Sequence, residues 1–336
     1  MNILIVNNLS AGLRDGAIYE FIRKYVADGD CVTMRCTDGH TPIPHLLEGA
    51  RGFDLIVASG GDGTIASICY HLRDSGIPIL PFPAGTGNLL ATNLDMPDET
   101  SAIAALAREC RTLDFDLAEI CYGAEGAEGA GGAREALGAL AATTGAGVLG
   151  TQSGQEACER RGFALIAGAG YDASIMETAG RLKEALGSSA YIAAAFAHPN
   201  PTLSRFKITL DDEVVESEAI AVLILNFAKI HLDISITHDN DARDGLLEVA
   251  VIRPHTAVEL LPALIAAYLD RTGGFPSRTD AVQTYRSRTV RVEADPCLRI
   301  QHDGEATGAT TPFEARILPL ATRLIVSAET YQRLSG

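Results

Sequence analysis

Leu55-Ile56-Val57-Ala58-Ser59-Gly60-Gly61-Asp62-Gly63-Thr64-Ile65-Ala66-Ser67-Ile68 reads as strand, glycine turn and helix. Gly60, Gly61 and Gly63 allow the backbone positive φ and close approach to a ligand. The helix opening near Thr64 points unpaired N–H groups at that ligand. Such a turn suits a phosphate. Asp62 would repel a phosphate directly, so its carboxylate makes sense with Mg²⁺ or ordered water between the two.

A second turn of the same kind follows at the distance an α/β sheet sets. Ile77-Pro78-Ile79-Leu80-Pro81-Phe82 is a strand, Pro83-Ala84-Gly85-Thr86-Gly87-Asn88 a glycine turn, and Leu89-Leu90-Ala91-Thr92 opens a helix. Two phosphate-type loops at neighbouring strand ends make one site; a single glycine turn would be weak evidence, since most are only tight connections.

Gly60-Gly61-Asp62-Gly63-Thr64, Pro83 to Asn88, Gly168-Ala169-Gly170-Tyr171-Asp172-Ala173, Asp241-Ala242-Arg243-Asp244-Gly245-Leu246 and Asp303-Gly304-Glu305 occur in this order over nearly the whole chain. In this the sequence resembles the diacylglycerol kinase catalytic-domain family, in particular its soluble bacterial lipid kinases, with sphingosine and ceramide kinases as relatives. The first turn alone also occurs in NAD kinases and 6-phosphofructokinases, which share the wider superfamily. The later motifs favour the lipid kinases.

The resemblance implies an N-terminal Rossmann-like parallel-sheet nucleotide domain and a C-terminal antiparallel β-sandwich domain, with the active site in the cleft between them. Alternation of short strands with helical patterns up to residue 113 independently argues for a parallel sheet. The strand-rich texture from Asp114 onward argues for antiparallel pairing. The expected domains are 1–113, rejoined by about 324–336, and 114–323. Strands are expected at Phe115 to Cys121, Gly162 to Ala167, Phe206 to Leu210, Ala219 to Asn226, Leu246 to Ile252, Thr289 to Ile300 and Arg323 to Ser327. Helices are expected around Ala17 to Val26, Met176 to Ala197 and His255 to Leu269. Residues 123–161, rich in Gly and Ala, read as a flexible insertion.

For the site, ATP is expected to contact Asn7, Ser10, Thr37, Gly60, Gly61, Asp62, Gly63, Thr64, Gly85, Thr86 and Asn88. Asn7 and Ser10 are carried over from an NPxSG-like family turn in which Pro is replaced by Asn8 and the first Gly by Ala11. Phosphoryl transfer needs positioning, charge neutralisation and a carboxylate to take the attacking proton. The resemblance assigns that carboxylate to Asp303, with Glu305 as second candidate and Asp62 as the anchor of catalytic Mg²⁺. Asp241, Asp244 and the carbonyl of Leu246 form an oxygen-donor set suited to Mg²⁺ or Ca²⁺, which the resemblance makes a structural Mg²⁺ site. Asn226 matches a family position without the glycines that usually follow. Asp172 is read as a helix cap.

A formal net charge of −16 argues against nucleic acid as partner. It also argues against broad adhesion to anionic lipid, so contact with a lipid substrate at the membrane surface is expected to be local and transient. No stretch reaches transmembrane length, the N-terminus reads as a buried strand, and the seven dispersed cysteines suit reduced thiols in a cytoplasm. An NAD kinase-type enzyme, or a catalytically silent nucleotide-binding regulator of the same fold, is the alternative. The sequence leaves open the acceptor lipid and the oligomeric state.

Overall fold

The computed structural model describes residues 1–11, 16–123, 158–170, 201–227, 229–230, 234–235, 241–253 and 282–335. The helices expected at 176–197 and 255–269, Asp172 and nearly all of the 123–161 segment lie outside these residues. Strands β1 (Asn2–Asn8), β2 (Cys31–Thr37), β3 (Leu55–Gly60) and β4 (Ile79–Pro83) alternate with α1 (Ala17–Tyr25), α2 (Ile43–Leu46), α3 (Asp62–His71), α4 (Leu89–Asn93) and α5 (Thr100–Glu109). The order β2-β1-β3-β4 is parallel throughout. Ile3 to Val6 form a continuous apolar run because both faces of β1 are covered. Ile3, Ile5, Leu55 and Val57 pack with Ile18, Phe21 and Tyr25 of α1, while Leu4, Val6, Ile56 and Ala58 pack with Ile65, Ile68 and Cys69 of α3.

The chain next runs through β5 (Thr112–Gly123), β6 (Cys158–Phe163), β7 (Ile166–Gly170), β8 (Ser204–Leu210), β9 (Glu213–Ala219), β10 (Ala221–Leu225), the short β11 (Lys229–Ile230) and β12 (Ile234–Ser235), and β13 (Leu247–Ile252). It ends with β14 (Val282–Ser287), β15 (Thr289–Asp295), β16 (Arg299–His302), β17 (Glu305–Thr310), β18 (Phe313–Ile325) and α6 (Ala328–Leu334). One sheet continues from β4 through β18, β15, β8 and β9, with β5 on β18 and β6 on β5; a 6-stranded sheet has the order β14-β13-β10-β7-β16-β17. Between them Ile120, Phe206, Ile208, Val290 and Val292 of the first sheet meet Ala167, Val222, Ile224, Val249 and Ile300 of the second. This is a β-sandwich of antiparallel strands beside a parallel, helix-covered sheet, as expected.

Three expected strands are broken in the middle, each where the chain passes from one sheet to the other. Gly162 to Ala167 divides at Ala164-Leu165 between β6 and β7, and Ala219 to Asn226 divides at Ile220 between β9 and β10. Thr289 to Ile300 divides after Asp295, where Pro296 has no N–H to continue a ladder. Continuous hydrophobicity hides such crossings, since each half is buried in its own sheet.

β18 was legible only as its last few residues, and it returns to the first sheet, with Leu324 opposite Ile79. Beyond it, Thr330 donates to the Leu94 carbonyl at 2.8 Å and Arg333 pairs with Asp95 at 2.7 Å. The expectation of uniformly reduced thiols is corrected at one pair. Antiparallel pairing of β5 with β6 brings Cys121 and Cys158 to a Cα–Cα distance of 5.8 Å, and the two form a disulfide. Cys31, Cys36, Cys69, Cys110 and Cys297 are free.

Candidate active site

In the strand order β2-β1-β3-β4, the chain leaves β1 toward β2 and returns past it to β3, so the sheet's switch point lies between β1 and β3. Open α/β sheets bind ligands outside the carboxyl ends of the strands at such a point. Asn7 and Asn8 end β1 and Ser59-Gly60 end β3. The Ser59 hydroxyl donates to Asn7 Oδ1 at 2.8 Å, and Asn8 Nδ2 donates to Thr64 Oγ1 at 2.9 Å. Asn8, which departs from the family's proline, thus ties the first turn to the glycine turn. Ser10 donates to the Asp38 carbonyl, joining the turns after β1 and β2. Thr37 spends its hydroxyl within its own turn, accepting from Gly39 N–H at 3.0 Å and donating to the Thr41 carbonyl at 3.2 Å.

The two glycine turns touch backbone to backbone. A Cβ built on Gly85 would lie 2.5 Å from Gly61 Cα, so the loops approach this closely only because residue 85 carries no side chain. Asn88 holds the second turn closed: its Oδ1 accepts from Gly85 N–H at 2.9 Å and its Nδ2 donates to the Gly85 carbonyl at 2.8 Å. Its φ of 51° is a left-handed conformation that Asn tolerates. Thr86 lies inside this turn. Asp62 spans both loops, accepting from Leu89 N–H at 3.1 Å and Leu90 N–H at 2.9 Å.

Asp303-Gly304-Glu305 forms the turn between β16 and β17, with Asp303 at φ 45° and Gly304 at φ 81°. A Cβ on Gly63 would fall 2.7 Å from Glu305 Oε1, which places this carboxylate directly over the first glycine turn. Asp303 faces inward. Its Oδ2 accepts from Ala164 N–H at 2.8 Å and its Oδ1 from Leu165 and Ile166 N–H at 2.9 and 3.1 Å. Burial pushes the Asp303 carboxyl up to about 7; the three N–H groups pull it down, and the negative charge of Asp62 adds to the rise. This N–H nest, at the crossing from β6 to β7, leaves no side-chain pattern for a sequence reading to find. Asn226, fully buried, braces the nest by donating to the carbonyls of Ala164 at 2.9 Å and Asp116 at 3.0 Å. Neighbouring His302 is driven down to about 4 by burial and by the charge of Arg161.

Asp241, Asp244 and Leu246 gather elsewhere, around buried Asp116, whose Oδ2 accepts from Gly245 N–H at 2.7 Å and Oδ1 from Leu320 N–H at 2.7 Å. Burial, with the charges of Asp244 and Asp241 behind it, raises the Asp116 carboxyl. Asp244 accepts from Leu246 N–H at 2.9 Å and pairs with Arg286, and Asp241 accepts from Arg243 N–H at 3.0 Å. The Arg286 guanidinium thus balances part of the negative charge of this turn at Asp244. Among the described residues, no group of three or more His, Cys, Asp or Glu is closed up as a metal cage. Asp62 lies in the first glycine turn with Glu305 over it, and the Asp62 charge acts on Asp303.

Residues 2–120 match the model of the diacylglycerol kinase catalytic domain, and residues 166–326 that of the YegS C-terminal NAD kinase beta sandwich-like domain. An uncharacterized protein of Synechocystis sp. (strain ATCC 27184 / PCC 6803 / Kazusa) is 27% identical over 288 residues; the match takes in 83% of this chain but 56% of that one, so the chain spans little more than half of this relative's length. A diacylglycerol kinase of Mycobacterium tuberculosis (strain CDC 1551 / Oshkosh) is 25% identical over 306 residues, 88% of this chain and 84% of the other. A crystal structure of a diacylglycerol kinase from Bacillus anthracis str. Sterne shares the fold, with TM-score 0.62 and 17% identity over 98% of this chain and 97% of that chain. With a diacylglycerol kinase catalytic-domain match containing both glycine turns and a YegS-type C-terminal match containing the Asp303 hairpin, the chain pairs these two domains in sequence order.

Proposed function

We propose that this chain is an ATP- and Mg²⁺-dependent lipid kinase that transfers the γ-phosphate to the hydroxyl of a diacylglycerol-like lipid. The observation that carries this reading is the meeting of Glu305 with Gly63, since it joins the hairpin near the end of the chain to the nucleotide-type turn near its start. The activity named for the M. tuberculosis relative supports the acceptor class. ATP lies across the turns at Gly60 to Thr64 and Gly85 to Asn88, beside Asn7 and Ser10. Asp62 and Glu305 face its phosphates. Mg²⁺, when bound there, neutralises phosphate charge that the carboxylates alone would repel.

Asp303 takes the proton of the lipid hydroxyl at Oδ2, which accepts one N–H where Oδ1 accepts two. The hydroxyl oxygen bonds to the γ-phosphorus as the bond to the β,γ-bridging oxygen breaks, and ADP leaves with that electron pair. A carboxyl near 7 is matched to this task, because the best base titrates near the working pH. The acceptor is a membrane lipid, so the protein works transiently at the bilayer periphery; among the described residues no helix is long and apolar enough to cross a membrane.

ADP release in mixed micelles tests the reading. It is expected to require both added diacylglycerol and Mg²⁺, to stop with EDTA and to recover with excess Mg²⁺. ADP release that responds to NAD and ignores lipid would move the assignment to a nucleotide kinase. ATP binding with no release for any acceptor would favour a silent regulator.

A further inference from the structure

Helix α3 begins in the first glycine turn and carries Asp62, and its far end is fastened to the β5–β6 hairpin by Tyr70. The Tyr70 hydroxyl donates to Glu119 Oε2, and Glu119 Oε1 accepts from Arg160 Nη1 at 2.7 Å and Arg316 Nε at 2.9 Å. Glu119 is 4% exposed, so both oxygens of a buried carboxylate are satisfied by three side chains from α3, β6 and β18. Burial alone would raise this carboxyl, and the Tyr70 hydroxyl with the two guanidiniums outweighs it and brings the group below the ordinary value. Tyr70 itself, held up at about 12 by burial and by Glu119, keeps its proton and stays a donor.

The side chain of Tyr70 packs against β6 at Gly162, where a Cβ would overlap its Cβ, Cγ and Cδ2. Arg73, one turn on, covers the ring with its guanidinium 4.3 Å from the centroid. Gly162 is two residues before Ala164, the first of the three N–H groups that hold Asp303. The path from Asp62 to the Asp303 carboxylate therefore runs along one helix, through one hydroxyl and one close ring contact, and along one strand end.

We propose that Tyr70, Glu119 and Gly162 form a positioning clamp that sets the helix carrying Asp62 against the N–H nest carrying Asp303, and so fixes the alignment of phosphate and base. Tyr70 is a positioning residue and touches neither substrate. The Gly61–Gly85 contact, which shapes the nucleotide site, lies at the other end of α3 and does not depend on the clamp. Misplacing reacting groups by about 1 Å costs up to about 100-fold in rate.

The inference rests on the lipid kinase reading for its rate measurement, and a second measurement is independent of it. Tyr70→Phe keeps the ring on Gly162 and removes the hydroxyl. It is expected to lower kcat about tenfold with KM for ATP unchanged, and Glu119→Gln is expected to do the same. The double variant should be no slower than the slower single one, since each breaks the same link. Hydrogen exchange at the Ala164, Leu165 and Ile166 amides should quicken in both single variants, whatever the reaction. Unchanged kcat in a folded variant, a rise confined to KM for ATP, or multiplying rather than saturating losses would overturn the clamp. Unchanged exchange at the three amides would overturn it even if the wild-type protein transferred no phosphate, an outcome that would sink the kinase reading separately.

Discussion

Asp303→Asn loses turnover by about 10²- to 10⁴-fold, the range general-base catalysis contributes, while ATP still binds. The side chain keeps its size, and Asn Oδ1 still accepts N–H bonds. The new Nδ2 group, however, faces an N–H donor and has no lone pair for a hydroxyl proton. ATP affinity, read by calorimetry, should stay within about twofold of wild type, because the Gly61–Gly85 contact and the Asn88 bonds lie in another part of the site.

The pH profile carries the same claim with a definite sign. Burial raises the Asp303 carboxyl to about 7, so below that pH the group is protonated and inactive as a base. kcat/KM should climb about tenfold per pH unit below 7 and level off above it. An ordinary carboxylate would give a plateau reaching down to about pH 5. The same shift opposes stability at high pH: a carboxyl that holds its proton more tightly in the folded state destabilises that state as pH rises above its ordinary value. Near-wild-type turnover in Asp303→Asn would hand the base role to Glu305.

Gly85→Ala is the second large effect, and it acts on the nucleotide instead. Its Cβ would meet Gly61 Cα at 2.5 Å and Gly61 N at 3.2 Å, both backbone atoms that cannot rotate away. The two turns must separate, and overpacking of this kind costs about 1–3 kcal/mol. Expressed in ATP affinity, that is a loss of between about fivefold and about 150-fold. A rise in KM for ATP with kcat at saturation much less affected would match this geometry, as would a lowered Tm. An unchanged KM would show that the loops do not have to touch for ATP to bind.

The turns at Gly60 to Thr64 and Gly85 to Asn88 were legible because their chemistry sits in consecutive residues with restricted side-chain choice. Asp303-Gly304-Glu305 was legible only through resemblance, since the same three residues make an ordinary hairpin turn. What surrounds them was not legible. The nest for Asp303 is built from main-chain N–H groups of Ala164, Leu165 and Ile166, which any sequence supplies. The link of Tyr70 to Glu119 spans 49 positions with no local pattern. Asn8 was discounted as a departure from a motif, yet its amide holds Thr64. Cys121 and Cys158 looked dispersed because the residues between them conceal that β5 and β6 are neighbours. Sheet crossings at Ala164, Ile220 and Pro296 escaped because hydrophobic continuity reports burial and not the sheet in which a residue is buried.

The most direct test of the central claim is the fate of the γ-phosphate. Labelled Mg-ATP is incubated with mixed micelles holding diacylglycerol, phosphatidylglycerol, a sphingoid base or an isoprenoid alcohol, with NAD and fructose 6-phosphate in parallel, and the products are separated and identified by mass. The account predicts label on a lipid hydroxyl, diacylglycerol foremost, and none with Asp303→Asn. Label on NAD or on the sugar phosphate, or wild-type labelling of lipid by the Asp303→Asn protein, would contradict it.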